Sequence, residues 1–155
     1  MDTEAVNLLR AEQEKIEGGW VVVDRVTLPD GSSSRDMARI SPDGILTVIT
    51  KQFTGLGGQD GDYGTLSKVS VSPDGQVAQS TRYVQVEDRT DPNHPGFYTE
   101  SLRYFAGDGG KKVYFKGGEL PEFIRAAAVG TVRQEVQRVV SKVQNWHKTQ
   151  TPVGN

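Results

Sequence analysis

Any chemistry in this sequence would have to come from two short stretches, GLGGQDGDYG at 55–64 and EDRTDPNHPGFY at 87–98. The first packs five glycines and two aspartates into ten residues, a composition shared by phosphate cradles and calcium loops. Spacing counts against both. A dinucleotide fingerprint has its third glycine where Asp60 stands, and a Walker loop needs a Gly-Lys-Ser/Thr run that is absent. An EF-hand begun by Asp60 and Asp62 wants glycine at 65 and glutamate at 71; Gly64 comes one place early and Val71 holds the closing position. Asp60 and Asp62 are left as weak calcium candidates in a connection between strands. In the second stretch Asp88, Asp91 and His94 recur at every third residue between prolines that stiffen the loop. Converging His and carboxylate donors suit zinc or iron, and a His–Asp pair suits a general base with its orienting partner. Neither spacing matches a signature, and Asp or Asn before Gly or Pro is ordinary turn chemistry.

Elsewhere no serine or lysine stands in a G-x-S-x-G or S-x-x-K frame. Cysteine is absent, which removes disulfides, thiolate metal sites and cysteine nucleophiles together. The sequence therefore reads as a non-enzyme, with no cofactor and no metal expected.

The elements that must carry these loops are strands. Val, Ile, Thr, Tyr and Phe concentrate in seven segments: 20–28, 35–41, 45–53, 65–72, 76–87, 97–106 and 111–116. LPDG at 28–31, SPDG at 41–44 and SPDG at 72–75 supply proline where a turn wants φ near −65° and glycine where the chain must go left-handed. Turns this tight join antiparallel neighbours, and GDGG at 107–110 acts in the same way. The hairpins ARISPDGILTVITK and VSVSPDGQVAQSTR align without gaps, which a duplication or a shared turn would each produce. Both ends read as helices. Residues 3–17 space Val6, Leu9, Gln13 and Ile16 by three and four up to the stop at Gly18-Gly19, and a second helix begins with Pro121 in its first turn. The expected architecture is one α+β domain over 1–155: an acidic helix to 18, an antiparallel meander of about seven strands over 19–117 that could close partly into a barrel, a long amphipathic helix at 120–148, and a flexible tail at 149–155.

The last helix changes its apolar phase. Leu120, Phe123, Ile124, Ala127 and Ala128 come first; then Val129, Val132, Val136, Val139, Val143 and Trp146 form a seam about a third of a turn away. One reading lays the first set on the sheet and offers the seam, bordered by Arg133 and Arg138, to a second helix in this chain or another. β-Branched residues at such positions favour dimers. The other reading has both helices covering one sheet face. Charge adds a reason for the ends to meet, with five acids against two bases in 1–19 and five bases against two acids in 120–155. On the first reading the protein works without catalysis, by binding a macromolecular partner or copies of itself.

Two alternatives rest on the strands. Lys51 with Phe53, Arg82 with Tyr83, Arg103 with Phe105, and Lys112, Tyr114 and Lys116 interleave cations with rings, the composition of a single-stranded nucleic-acid platform. Against it stands an acidic total, net charge −2, where such binders show a basic footprint. A closed barrel would instead hold a small ligand. Gly18-Gly19-Trp20 resembles the G-x-W motif at the first strand of lipocalin-like barrels, a likeness of three residues that implies a barrel and a ligand inside it. No basic leader precedes an apolar core, and no apolar run approaches the roughly 20 residues that span a bilayer, so a cytoplasmic protein without membrane contact is expected.

Overall fold

The Pro-Asp-Gly joints all use one local device. Gly31, Gly44 and Gly75 adopt φ of +88°, +89° and +73°, and each turn's aspartate accepts from a neighbouring serine. Ser41 Oγ donates to Asp43 at 2.5 Å and Ser72 Oγ to Asp74 at 2.7 Å, while Asp30 takes both the hydroxyl and the N–H of Ser32. These donors hold all three carboxyls below the ordinary aspartate range: the Ser32 hydroxyl at Asp30, the Ser41 hydroxyl at Asp43, and at Asp74 chiefly the Gln76 N–H. The two SPDG turns also pack on each other, and a Cβ at Gly44 would fall 2.8 Å from Pro73 Cγ.

The computed structural model describes residues 1–53, 64–85, 98–115 and 118–150. Helix α1 (Thr3–Gln13) leads into β1 (Val21–Thr27), β2 (Ser33–Ile40), β3 (Leu46–Phe53), β4 (Gly64–Val71), β5 (Ala78–Gln85), β6 (Tyr98–Gly107), β7 (Lys112–Phe115), β8 (Gly118–Glu119) and helix α2 (Glu122–Gln150). The strands form one eight-stranded sheet in chain order, every pair antiparallel. It is an α+β fold, and the sheet is open, with β1 and β8 at its two edges. This corrects the barrel expectation. Gly18-Gly19-Trp20 opens no closed barrel: Gly18 and Gly19 turn the chain at positive φ, and the Trp20 ring lies 4.4 Å beneath the Arg39 guanidinium. The eighth strand is two residues beside a glycine pair, too short to show in composition.

Both helices lie on one face. Leu9 of α1 joins Val21, Ala38, Ile40, Leu46, Val48 and Val69 of the sheet and Val139, Val143 and Trp146 of α2 in one core. Ala128 and Val132 of α2 seal a second cluster with Ala78, Ala106 and Val113. For α2 the arrangement that lays the first set on the sheet and offers the seam to another helix is thus inverted, and the one with both helices covering one sheet face is observed. Its valine seam lies on the sheet, while Phe123 is 85% exposed and Ile124 39%. Length explains the inversion: 29 residues make a helix of roughly 44 Å, longer than the roughly 34 Å across eight strands. One end must overhang, and the overhanging end is the first turn.

Helix α1 is shorter than its stripe suggested. It stops at Gln13, whose side-chain amide donates to the Ile40 carbonyl at 2.8 Å and accepts from the Ile40 N–H at 2.9 Å. Ile40 extends past the start of β1, and this glutamine stands in for the missing strand partner. Ile16 falls outside the helix and is exposed. The termini meet through apolar contact, Val6 and Leu9 with Val136, Val139 and Val140; among the described residues no ion pair links α1 to α2.

Candidate functional site

Register decides which side chains share a face. Residues that stand opposite one another across the strands form rows on the same surface, and bulges at Val22/Asp24 of β1 and Arg82/Tyr83 of β5 shift the odd–even alternation there. On the face away from the helices one row runs Arg25, Arg35, Lys51, Leu66, Tyr83. The next runs Val22, Met37, Ile49, Lys68, Thr81, Arg103, and the third Arg39, Thr47, Ser70, Gln79, Phe105, Tyr114. These three rows alone place six cations on the uncovered face. Arg25, Arg35 and Lys51 are direct cross-strand neighbours, and none of them, nor Lys68, is paired with a carboxylate among the described residues. Arg35 Nε is also shielded from solvent with no hydrogen-bond partner. Like charges placed opposite one another are destabilising in a sheet.

The cations lie on a diagonal. From Arg25, Arg35 and Lys51 it passes Lys68 on β4 and Arg103 on β6, and ends at Phe105 and Tyr114. Those two rings pair across β6 and β7 with centroids 6.1 Å apart and a 47° tilt. Phe105 keeps 38% of its surface exposed. Strands about 4.8 Å apart put the ring pair roughly 20–25 Å from the Arg35 row. Of the acids among the described residues, Asp30, Asp43 and Asp74 lie on turns, Asp2, Glu4 and Glu12 at or on α1, and Asp24, Asp36 and Glu135 on the helix-covered side. On this face Glu119 stands opposite Tyr114, and Lys112 reaches Asp108 at 3.5 Å.

Most of the sequence's nucleic-acid candidates come together here. Lys51, Tyr83, Arg103, Phe105, Lys112 and Tyr114 share the open face, and Phe53 lies in the same phase of β3. Arg82 does not: it stands opposite Ser67 and Leu102 on the helix side. Lys116 lies outside the described residues, as do Asp60, Asp62, Asp88, Asp91 and His94. Among the described residues no three His, Cys, Asp or Glu side chains converge on a metal position. Sequence reasoning missed Arg25, Arg35, Arg39 and Lys68, because the contact between them is made by register and not by adjacency in the chain.

The seam residues have another role. Val132, Val139, Val143 and Trp146 are sealed against the sheet and Val136 is half-buried there, so they offer no free surface. Arg133 is exposed and reaches the Gly109 carbonyl at 3.4 Å. Arg138 turns under the helix into a polar cluster, donating to Asp36 Oδ1 at 3.3 Å, to Thr50 Oγ1 at 3.1 Å and to Glu135. Thr50 in turn donates to Asp36 at 2.5 Å, and Lys142 pairs with Asp24 and lies 3.8 Å from Asp36 Oδ2. An acid, a hydroxyl and two bases invite a catalytic reading. Asp36 is only 2% exposed, however, and Thr50 has both its proton and a lone pair engaged. The cluster fastens α2 to β1, β2 and β3. Its signal in the sequence was an acid in the apolar phase of a strand: Asp36 sits two places before Ala38 and four before Ile40.

No protein-family model matches the chain, and neither does any curated protein or solved structure. The functional reading rests on the geometry of the two sheet faces.

Proposed function

We propose that this protein is a non-catalytic binding module whose uncovered sheet face holds single-stranded nucleic acid. The observation that carries the reading is the Arg25–Arg35–Lys51 row, three adjacent cations without a counter-charge among the described residues, continued by Lys68 and Arg103 to an exposed ring pair. Such a row is unfavourable in the free protein and becomes favourable once phosphates lie along it. Phe105 and Tyr114 offer ring faces to unpaired bases, which a duplex keeps stacked among themselves. The acidic total of the chain is offset locally: among the described residues Asp30, Asp43 and Asp74 sit on turns and Asp24, Asp36 and Glu135 on the helix side, which leaves this face with more cations than carboxylates.

The test is fluorescence anisotropy of a labelled oligothymidine over a range of salt. Binding should weaken with a log–log slope of about −2 to −4, as expected when three to five phosphates are neutralised on a single strand. Phe105→Ala should cost about 1–3 kcal/mol of affinity, the usual contribution of one stacked base. Absence of binding at low salt, or binding indifferent to joint neutralisation of Arg25, Arg35 and Lys51, would overturn the proposal.

A further inference from the structure

Strand β1 is the long free edge of the sheet. Six of its seven residues pair on one side with β2, Val23 standing out at a bulge, and among the described residues the other side has no neighbour; the opposite edge, β8, has two residues. An unpaired edge of this length is a template for another strand. Beside it, between β1 and the last turns of α2, runs an open groove of about 1070 Å³ whose apolar wall is Ile16, Val21, Val23 and Trp146. Exposed apolar residues gather at the same edge: Ile16 at 40%, Val26 at 39% and Leu28 at 51%.

We propose that the β1 edge pairs antiparallel with the β1 edge of a second copy, about a twofold axis normal to the sheet. The strand is self-complementary in the sense this symmetry demands. It begins apolar at Trp20–Val23, beside the groove, and ends with exposed Val26 and Leu28. Antiparallel pairing lays the end of one strand against the beginning of the other. The axis keeps the two helix-bearing faces on one side. Val26, which stands opposite Ser34 on that side, then projects into the neighbouring copy's groove towards Ile16 and Trp146. Asp24 does not repel its counterpart strongly, because Lys142 of its own chain neutralises it. The two eight-stranded sheets become one, and both open faces look the same way. The Arg25 rows of the two copies approach each other, so the dimer should tighten as salt screens them, the opposite of the salt response expected for nucleic acid. Pairing stands independently of nucleic-acid binding.

Light scattering on a sizing column decides it. The wild-type chain should run at twice the 16.9 kDa of one copy, more completely at higher salt. The double variant Val26→Lys/Leu28→Lys should run at the mass of one copy with an unchanged circular-dichroism spectrum. Phe123→Lys, an equally drastic change at a residue 85% exposed on the overhanging turn, should stay dimeric. Hydrogen exchange on the unaltered protein supplies a check free of folding defects: amides of Val21–Thr27 should gain protection between micromolar and near-millimolar concentration. A wild-type chain that stays at single mass, a double variant that still pairs, dissociation by Phe123→Lys, or β1 exchange flat in concentration would each overturn the proposal.

Discussion

Across β1, β2 and β3 the sheet carries two neighbouring sets of positions that obey opposite rules. On the helix side Val21, Ala38 and Val48 stand opposite one another at 5%, 0% and 0% exposure, under Val139, Val143 and Trp146. On the other side Arg25, Arg35 and Lys51 stand opposite one another with no carboxylate paired to them among the described residues. The backbone and hydrogen-bond ladder are common to both. The first set explains why the strands hold together, since burying each such side chain contributes about 1.5–3 kcal/mol. The second set contributes nothing to that and opposes it through repulsion. Folding needs a polar outer face; it does not need three cations abreast. A row that costs stability without a structural return is what the proposed nucleic-acid reading accounts for.

The strongest test of this contrast compares two aromatic residues on α2. Trp146→Ala should destabilise the protein by about 3–5 kcal/mol in urea unfolding, because a buried ring leaves a cavity between sheet and helix. Phe123→Ala should fall within about 0.5 kcal/mol of wild type, as surface changes do. Had the helix faced the sheet with its first turn, the two values would be exchanged. The polar exception on the covered side comes next. Asp36→Ala should cost about 1–3 kcal/mol, the penalty for leaving buried hydrogen-bonding groups without a partner. It should fall short of a fully buried pair because the Arg138 side chain is 32% exposed and keeps Glu135 at 2.9 Å. A loss equal to that of Trp146→Ala would make the cluster, and not the valine stripe, the main attachment of α2.

How much of this could be read from residues alone follows from the range of each interaction. The hairpins were legible because Pro-Asp-Gly closes a turn within four residues and bounds β1 to β5, while β6 and β7 show in their β-forming residues and the GDGG joint. The open sheet was not legible: closure depends on whether β1 meets the far edge, which no local pattern encodes. The helix phase was misread because Phe123 and Ile124 share the apolar character of the seam, and only the width of the sheet shows which set overhangs. At the open face the sequence gathered Lys51, Tyr83, Arg103, Phe105 and Tyr114 from neighbours in the chain. The row that gives the face its charge joins Arg25 to Arg35 to Lys51 through register, and a sum over the whole chain averages it with acids that sit on the turns.

The smallest effect bears most directly on the contrast, because its two readouts should move in opposite directions. Arg35 is the middle cation of the row, with like charges on both sides. Arg35→Gln keeps a polar, hydrogen-bonding side chain on an aliphatic stem and removes the repulsion. Stability in urea should rise by a few tenths of a kcal/mol, within the 0.2–1 kcal/mol scale of cross-strand pairs. Affinity for oligothymidine should fall, and its log–log salt slope should shrink by about 0.7, the share of one phosphate on a single strand. A residue kept for packing would lose stability on this substitution and leave binding untouched. Gain of stability with loss of binding is the pattern of a charge held in place for a ligand, and the same measurement on Lys68→Gln, which lacks cationic cross-strand neighbours, should show the loss of binding without the gain.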